Sequence, residues 1–495
     1  MKLIRFFLPH TEYILFAAIF SGVAANGPKL LNFDGDLPRH ILMGSLILQT
    51  HHVSTTDIFS FRTVGFPSIP HEWFSQVLFA SVYDWLGLDG IVLITALLIM
   101  LTWGIIYYQA LRKSKSFFAA LLFTVLAVGA GQIHVLPRPH IFTYLLTAIW
   151  IALLEHIDRA KPRAWWPLPL VMLLWVNLHG MFVIGMIIWA IYLVGDFLDH
   201  PSKAWFSSAK ARALMIGGAL SLITTFFSPS GPRIWMAIAS LGSSAYITSK
   251  IPEYQSANFH LPETWPFLII LFFVIIGFAR TTEKVSWIDT LLVVSFTGFA
   301  VYTSRMIPVF AIVVTPIAAK AVAGWLQKEY SQSRLFFIEK NIHKLNSSSN
   351  GLIWLAVVFI AAIIFFNSGT SIAQKNQENA FYEPFFPVRA TIWLQHYPQR
   401  GHMFNEFDWG GYLLLELWPT YQIFMDGHTH IYGEELTREY ERVITLDSGW
   451  EEILAKYDVA WAIMRTNTPF IKALSASDNW EIAYEDTTAT ILVHK

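Results

Sequence analysis

Apolar runs recur along most of this chain, separated by short polar intervals. Stretches long enough to cross a bilayer, or nearly so, lie near 11–28, 90–111, 116–133, 140–157, 165–180, 182–199, 211–228, 266–279, 286–302, 305–326 and 351–367. A spanning helix needs roughly 20 apolar residues, and several of these runs are shorter. The pattern predicts a polytopic α-helical membrane protein with about eleven transmembrane helices. After residue 368 the pattern changes to alternating strands and amphipathic helices. "HMFNEF", "YQIFMDG", "VAWAIMR" and "TATILVH" read as strands, and "TREYERVITL" and "WEEILAKY" as helices. The expected organisation is a multi-span domain over 1–367 and an α/β domain over 368–495, with "NSSSNG" (346–351) as a polar hinge before the last span.

Charge sets the orientation. With the N-terminus cytoplasmic, the inner segments carry eighteen Lys and Arg and the outer segments before residue 368 carry seven, so every inner loop is basic. The same rule decides a doubtful apolar segment, "HEWFSQVLFASVYDWLG" (71–87). Were it to cross, "RKSK" (112–115) would fall outside and the later alternation would invert. It is therefore expected to lie at the outer interface, where Trp73 and Trp85 fit, and 37–50 forms a second such helix. The first outer loop then covers 29–89. The N-terminal "SGVAANG" is similar to a cleavage site, but "PHTE" (9–12) breaks the run before it, so the first helix is read as an uncleaved span. This places the chain in the plasma (inner) membrane, with the C-terminal domain periplasmic or extracellular.

Composition sharpens the picture. Hydrophobic residues make up 54% of the 495 and charged residues only 14%, well below the roughly 25% of soluble domains. Net charge is −1, which gives no basic footprint for nucleic acid. There is no cysteine, so disulfides, thiolate nucleophiles and Cys-ligated metals are excluded.

The unusual polar residues gather on the predicted outer side. They include Asp34, Asp36, Arg39, His40, His71, Glu72, Arg138, Asn177, His179, Glu253, His260 and Arg305. Ionisable groups beside a bilayer are costly unless paired or hydrated, so the crowd marks a candidate site; a wet, His-rich loop surface is the plainer reading. Each piece has such an alternative. Asp36 precedes "LPRHILMG" and is placed to cap a helix, with Pro38 in its first turn. Arg138, stiffened between Pro137 and Pro139, and Arg305, with Pro308 one turn on, suit phosphate oxygens; a snorkelling arginine is the other reading of Arg138. Asn177 and His179 sit in a tight hairpin, where helix–helix hydrogen bonding competes with a role at the mouth. His51–His52 are adjacent and face different ways, which argues against zinc. "DGHTH" (426–430) reads as a strand-end turn ahead of a second polar site.

"FDGDLPRHILMG" after one span, "HEWFSQ" opening a second interfacial helix, many further spans and a C-terminal "FNEFDWGGYLLLELWPTYQIFMDGHTHIYG" resemble the GT-C superfamily of membrane glycosyltransferases. The similarity is to the bacterial, dolichyl- or polyprenyl-phosphate-sugar-dependent type. It implies an inverting glycosyltransferase that moves a sugar from a polyprenyl-phosphate donor to a glycan, lipid or protein acceptor on the outer face. It implies that Asp36 or Asp34 is the base and Arg138 or Arg305 receives the leaving phosphate. Arg39, His40, His71, Glu72, Asn177, His179, Glu253 and His260 are then candidates for substrate binding. The family's second acidic residue has Glu253 and Glu263 as candidates, which leaves a divalent metal cofactor open. The rival readings are a transporter or flippase for a lipid-linked or anionic solute and a non-catalytic surface-polysaccharide assembly factor.

Overall fold

The computed structural model describes residues 10–159, 164–240, 244–281, 284–330, 338–339, 342, 354, 356–360 and 378–495. Its first part is a bundle of apolar helices. These are α1 (Thr11–Ala25), α2 (Gly27–Asn32), α3 (Leu37–Thr50), α4 (Trp73–Ser114), α5 (Phe117–Gly131), α6 (His140–Arg159), α7 (Pro167–Leu178), α8 (Val183–Asp199) and α9 (Ala209–Thr224). After two short outer-loop helices, α10 (Arg233–Ser240) and α11 (Ala245–Lys250), come α12 (Trp265–Arg280), α13 (Trp287–Tyr302) and α14 (Ile307–Tyr330). Among the described residues six helices are long and apolar enough to cross a membrane, and three shorter apolar ones, at 12–25, 167–178 and 287–302, accompany them. The chain is a multi-pass membrane protein. The hinge at 346–351 and most of the expected run 351–367 lie outside the described residues.

Helix α3 occupies the stretch expected of the first interfacial helix, 37–50. It crosses α4 at Gly44, where a Cβ would overlap the carbonyl of Gln76, so only glycine permits this approach. α4 contains a break: Gly87 has φ 61° and ψ −153°, which separates the segment 73–86 from the long span that follows. The doubtful apolar segment is thus a helix distinct from the crossing one.

The last part is a four-stranded mixed sheet in the order β1-β2-β4-β3. The strands are β1 (His402–Asn405), β2 (Val459–Arg465), β3 (Trp480–Glu485) and β4 (Ala489–His494). β1 runs parallel to β2, and β2–β4 and β4–β3 are antiparallel. Both faces are covered, which explains the near-continuous apolar strands. Met403, Trp461, Ile463 and Ile491 pack with α15 (Val388–His396), α16 (Gly410–Leu417) and the outer-loop residues Leu42 and Phe59. Phe404, Ala462, Met464 and Leu492 pack with α17 (Thr429–Thr445), α18 (Trp450–Lys456) and α19 (Pro469–Ser475). The segment "YQIFMDG" is not a strand of this sheet. Ile423 instead bridges Ser60 of the outer loop in parallel, and Asn405 satisfies the backbone of Phe424 and Met425.

That bridge is one of several links between the two parts. Arg39, buried on α3, pairs with Asp426 and, at 3.4 Å, with Asp57, and lies over the Phe59 ring. Arg62 bonds Glu439 at 2.8 Å and lies over the rings of Phe424 and Tyr457. Arg39 is therefore a docking residue, not a substrate ligand. Arg39→Met leaves Asp57 and Asp426 buried without their counter-charge and is expected to destabilise the fold by about 3–5 kcal/mol. Thermal unfolding in detergent measures this. Adding Asp426→Asn to Arg39→Met should cost less than the two single losses summed.

Candidate functional site

One end of the helix bundle and the sheet domain line a cavity of about 700 Å³. Of the residues singled out by sequence, Asp36, His40, His71, Glu72, Arg138, His179, Glu253 and Arg305 line it. Asp34, Arg39, Asn177 and His260 do not. Asn177 takes the helix-bonding alternative: its Oδ1 accepts from Trp73 Nε1 at 2.8 Å and its amide donates to Leu173 and Phe227 carbonyls. His260 is exposed in the 258–264 turn, away from the cavity. Glu263 is exposed too, so Glu253 is the later outer acid that reaches the site.

The acidic turn is built around Arg138. Asp34 is fully buried, accepts the Asp36 N–H at 2.9 Å and receives Arg138 Nε and Nη2, both at 2.7 Å. Arg138 Nη1 reaches Asp36 Oδ2 at 3.2 Å and Glu253 Oε1 at 3.4 Å. Burial opposes the guanidinium charge, but Asp34, Asp36 and Glu253 outweigh it and hold Arg138 well above its usual range. Asp36 occupies the N-cap position of α3, yet its side chain makes no capping bond. Arg305 is far less engaged. Its Nη1 donates to Tyr254 Oη at 3.3 Å and lies 3.8 Å from Glu253, and its buried Nε has no hydrogen-bond partner among the described residues.

A second carboxylate, Glu72, stands just before α4. His179 Nε2 is 3.4 Å and His71 Nε2 3.7 Å from its Oε1, and His40 Nδ1 is 4.0 Å from Oε2. Burial would raise the Glu72 carboxyl, but His71, His40, His179 and Arg305 outweigh it and hold it at about 2. For His179 burial wins over the attraction of Glu72 and lowers the imidazole to about 3. At neutral pH the pair is a carboxylate beside a neutral ring.

The sheet domain supplies the remaining wall. Gly427, His428, Thr429 and His430 line the cavity, as do Phe407 and Asp408. The His428 ring lies 6.0 Å from His40, and the His430 ring 5.8 Å from His71. A Cβ at Gly427 would overlap the Asp36 carboxylate, and one at Gly35 would meet the Asp408 carbonyl. "DGHTH" therefore belongs to the same site as the acidic turn; its paired histidines beside Asp and Gly were the sequence signal.

No protein-family model matches the chain, and no curated protein matches it. Solved structures do. The archaeal oligosaccharyltransferase AglB of Archaeoglobus fulgidus, in complex with an inhibitory peptide and a dolichol-phosphate, is similar with a TM-score of 0.56 at 11% identity, covering 92% of this chain and 69% of that one. The same organism's enzyme tethered to an acceptor peptide gives 0.55 at 12% identity over 91% and 69%. ArnT of Cupriavidus metallidurans, bound to undecaprenyl phosphate, gives 0.53 at 14% identity over 98% of both chains. The chain has the GT-C fold.

Within this GT-C fold, a divalent ion does not fit the acids as they stand. Asp34, Asp36 and Glu253 converge on the Arg138 guanidinium, and among the described residues no three His, Asp or Glu side chains are grouped to hold a metal. No step below is routed through one.

The buried neutral His179 makes a prediction about pH. Its ordinary value is 6.5 and its folded value about 3, so its contribution to stability is complete above pH 6.5. As pH falls below 6.5 the unfolded chain takes a proton that the folded chain refuses, and stability drops toward pH 3. Between pH 6 and 4, His179→Gln should remove about 1.4 kcal/mol per pH unit from the slope of wild-type stability against pH. Unfolding midpoints at stepped pH measure the difference; parallel curves would show that His179 is not buried neutral.

Proposed function

We propose that this chain is an inverting glycosyltransferase that transfers a sugar from a polyprenyl-phosphate donor to an acceptor hydroxyl on the outer face of the membrane. A fold alone does not assign an activity, so the reading rests on the site. One observation carries it: a single cavity at the mouth of the apolar helices is lined both by Asp36 and by Arg305, whose guanidinium keeps donor capacity to spare. The neighbouring AglB and ArnT structures hold dolichol-phosphate and undecaprenyl phosphate, which agrees with a lipid-phosphate substrate.

In this reading Asp36 is the base. Its carboxylate takes the proton of the acceptor O–H, the oxygen attacks the anomeric carbon, and the bond from that carbon to the phosphate oxygen breaks with inversion. Arg305 stabilises the charge gathering on the departing lipid phosphate. Arg138, already engaged by three carboxylates, positions Asp36 and holds Asp34, which shapes the turn from inside. The apolar helices give the lipid a home while the sugar faces the cavity.

The charge at the two ends of the bundle supports this orientation. The cavity lies at one end. At the other, Lys113 bonds Glu155 at 2.9 Å and Asp289 at 3.4 Å, and Lys320 bonds Asp289 at 3.1 Å. The basic segment 112–115 belongs to this second end, and the positive-inside rule favours the cytoplasm for it, with the cavity on the opposite side.

Membranes or purified protein supplied with a labelled polyprenyl-phosphate sugar and candidate acceptors test the proposal. Asp36→Asn is expected to lower transfer about 10²–10⁴-fold. Arg305→Ala is expected to weaken polyprenyl-phosphate binding and slow transfer together. Full transfer by Asp36→Asn would remove this residue as base.

A further inference from the structure

The proposed chemistry makes no use of Glu72, yet Glu72 lines the cavity with three histidines within 4.0 Å of its carboxylate. A chain of buried donors leads to it from inside the helix bundle. Trp175 Nε1 donates to Thr143 Oγ1 at 2.9 Å. The Thr143 hydroxyl then has its own proton left to give, and His179 Nδ1 lies 2.8 Å away. With Nδ1 accepting, the neutral His179 ring carries its proton on Nε2, which lies 3.4 Å from Glu72 Oε1. The tautomer follows from the bonding: an indole N–H can only donate, which orders every link after it.

On the other side of Glu72 the pattern reverses. His71 Nδ1 lies 2.9 Å from the Ile69 carbonyl, which can only accept, so the ring proton sits on Nδ1. Its other ring nitrogen, Nε2, faces Glu72 Oε1 at 3.7 Å, too far for a direct bond. A carboxylate that lines a cavity with no direct hydrogen bond among the described residues calls for a donor beside it. Sugar hydroxyls are such donors, and they are uncharged, which suits a wall already supplied with Arg305. The phosphate would sit at Arg305, which lines the same cavity as Glu72 and His71. A glycosyl unit joined to that phosphate would occupy the space that Glu72 and His71 line.

We infer that Glu72 is the sugar-recognising group of the cavity, accepting hydrogen bonds from hydroxyls of the glycosyl unit carried by the donor lipid, with Thr143 and His179 as its positioning residues. This deepens the glycosyltransferase reading and rests on it. Asp36 acts on the acceptor proton and Arg305 on the phosphate; Glu72 tells one donor sugar from another.

The test compares binding of bare polyprenyl phosphate with binding of its mannosyl, glucosyl and N-acetylglucosaminyl forms to the full chain in detergent. In Glu72→Gln the amide oxygen turns to His179, and an NH₂ donor replaces the acceptor that faces the sugar. Affinity for the best-bound glycosyl form is expected to fall at least tenfold while affinity for the bare lipid stays within twofold. Thr143→Val is expected to give the same selective loss at a smaller size, about threefold. Equal losses for bare and glycosyl lipids, or no loss at all, overturn the assignment. Should Glu72→Gln fail to fold, as judged by thermal unfolding, Thr143→Val decides by the same comparison. Wild-type protein that binds neither form removes the parent reading instead.

Discussion

An arginine taken out of water must find anions to replace that water, and at Arg39 this requirement ties the molecule together. Its guanidinium is buried between Asp57 of the first outer loop and Asp426 of the sheet domain, so three distant stretches of chain meet at one charge. Asp36 stands three residues before Arg39, at the head of the same helix. Gly427 and His428 follow directly after Asp426. The ion pair therefore fixes both the acidic turn and the loop that closes over it. The glycines at 35 and 427 let the two backbones approach closely; any side chain at 427 would push into the Asp36 carboxylate. The sheet domain is on this account a wall of the site, not an appendage.

The membrane part was legible because its physics is local. Apolar length, charge asymmetry and an amphipathic stretch opened by proline each act within a few turns, and helix 37–50 and the separate helix before Gly87 lie where those rules place them. The sheet domain was legible where strands alternate or run apolar over their whole length, as in β2 and β4. It was not legible at "YQIFMDG", whose apolar alternation is real but is spent on packing against Phe59, Phe61 and Tyr440 instead of on a ladder. Trp480–Glu485 is not legible because only Trp480 of its six residues is buried and its partner strand is needed to define it.

For the site, composition gathered the right crowd but could not sort it. Asn177 and Arg39 are as polar as Glu72 and His179, and only three-dimensional partners separate them. Asn177 spends its amide on two carbonyls and its oxygen on Trp73, leaving nothing for a substrate. Arg39 spends its charge on two aspartates. The two histidines of "DGHTH" read equally well as part of a strand-end turn. It is the pairing of Asp426 with Arg39 that brings them to the cavity wall.

The same accounting divides the two cavity arginines, which sequence treats as equivalent. A guanidinium offers five N–H donors in a planar fork. Arg138 directs its donors at Asp34, Asp36 and Glu253, three anions around one cation. An incoming phosphate there would meet net negative charge, so Arg138 is better suited to holding carboxylates in place than to receiving a leaving group. Arg305 has one phenol at 3.3 Å, one distant carboxylate and a buried Nε with no partner among the described residues. A buried N–H of a cation is costly to leave unmet, and a phosphate oxygen would meet it. The division of labour proposed for the cavity thus follows from which donors are already used. Arg138 sets the base, Arg305 receives the phosphate, and the carboxylate at Glu72, held from behind by a neutral histidine, is left facing the sugar.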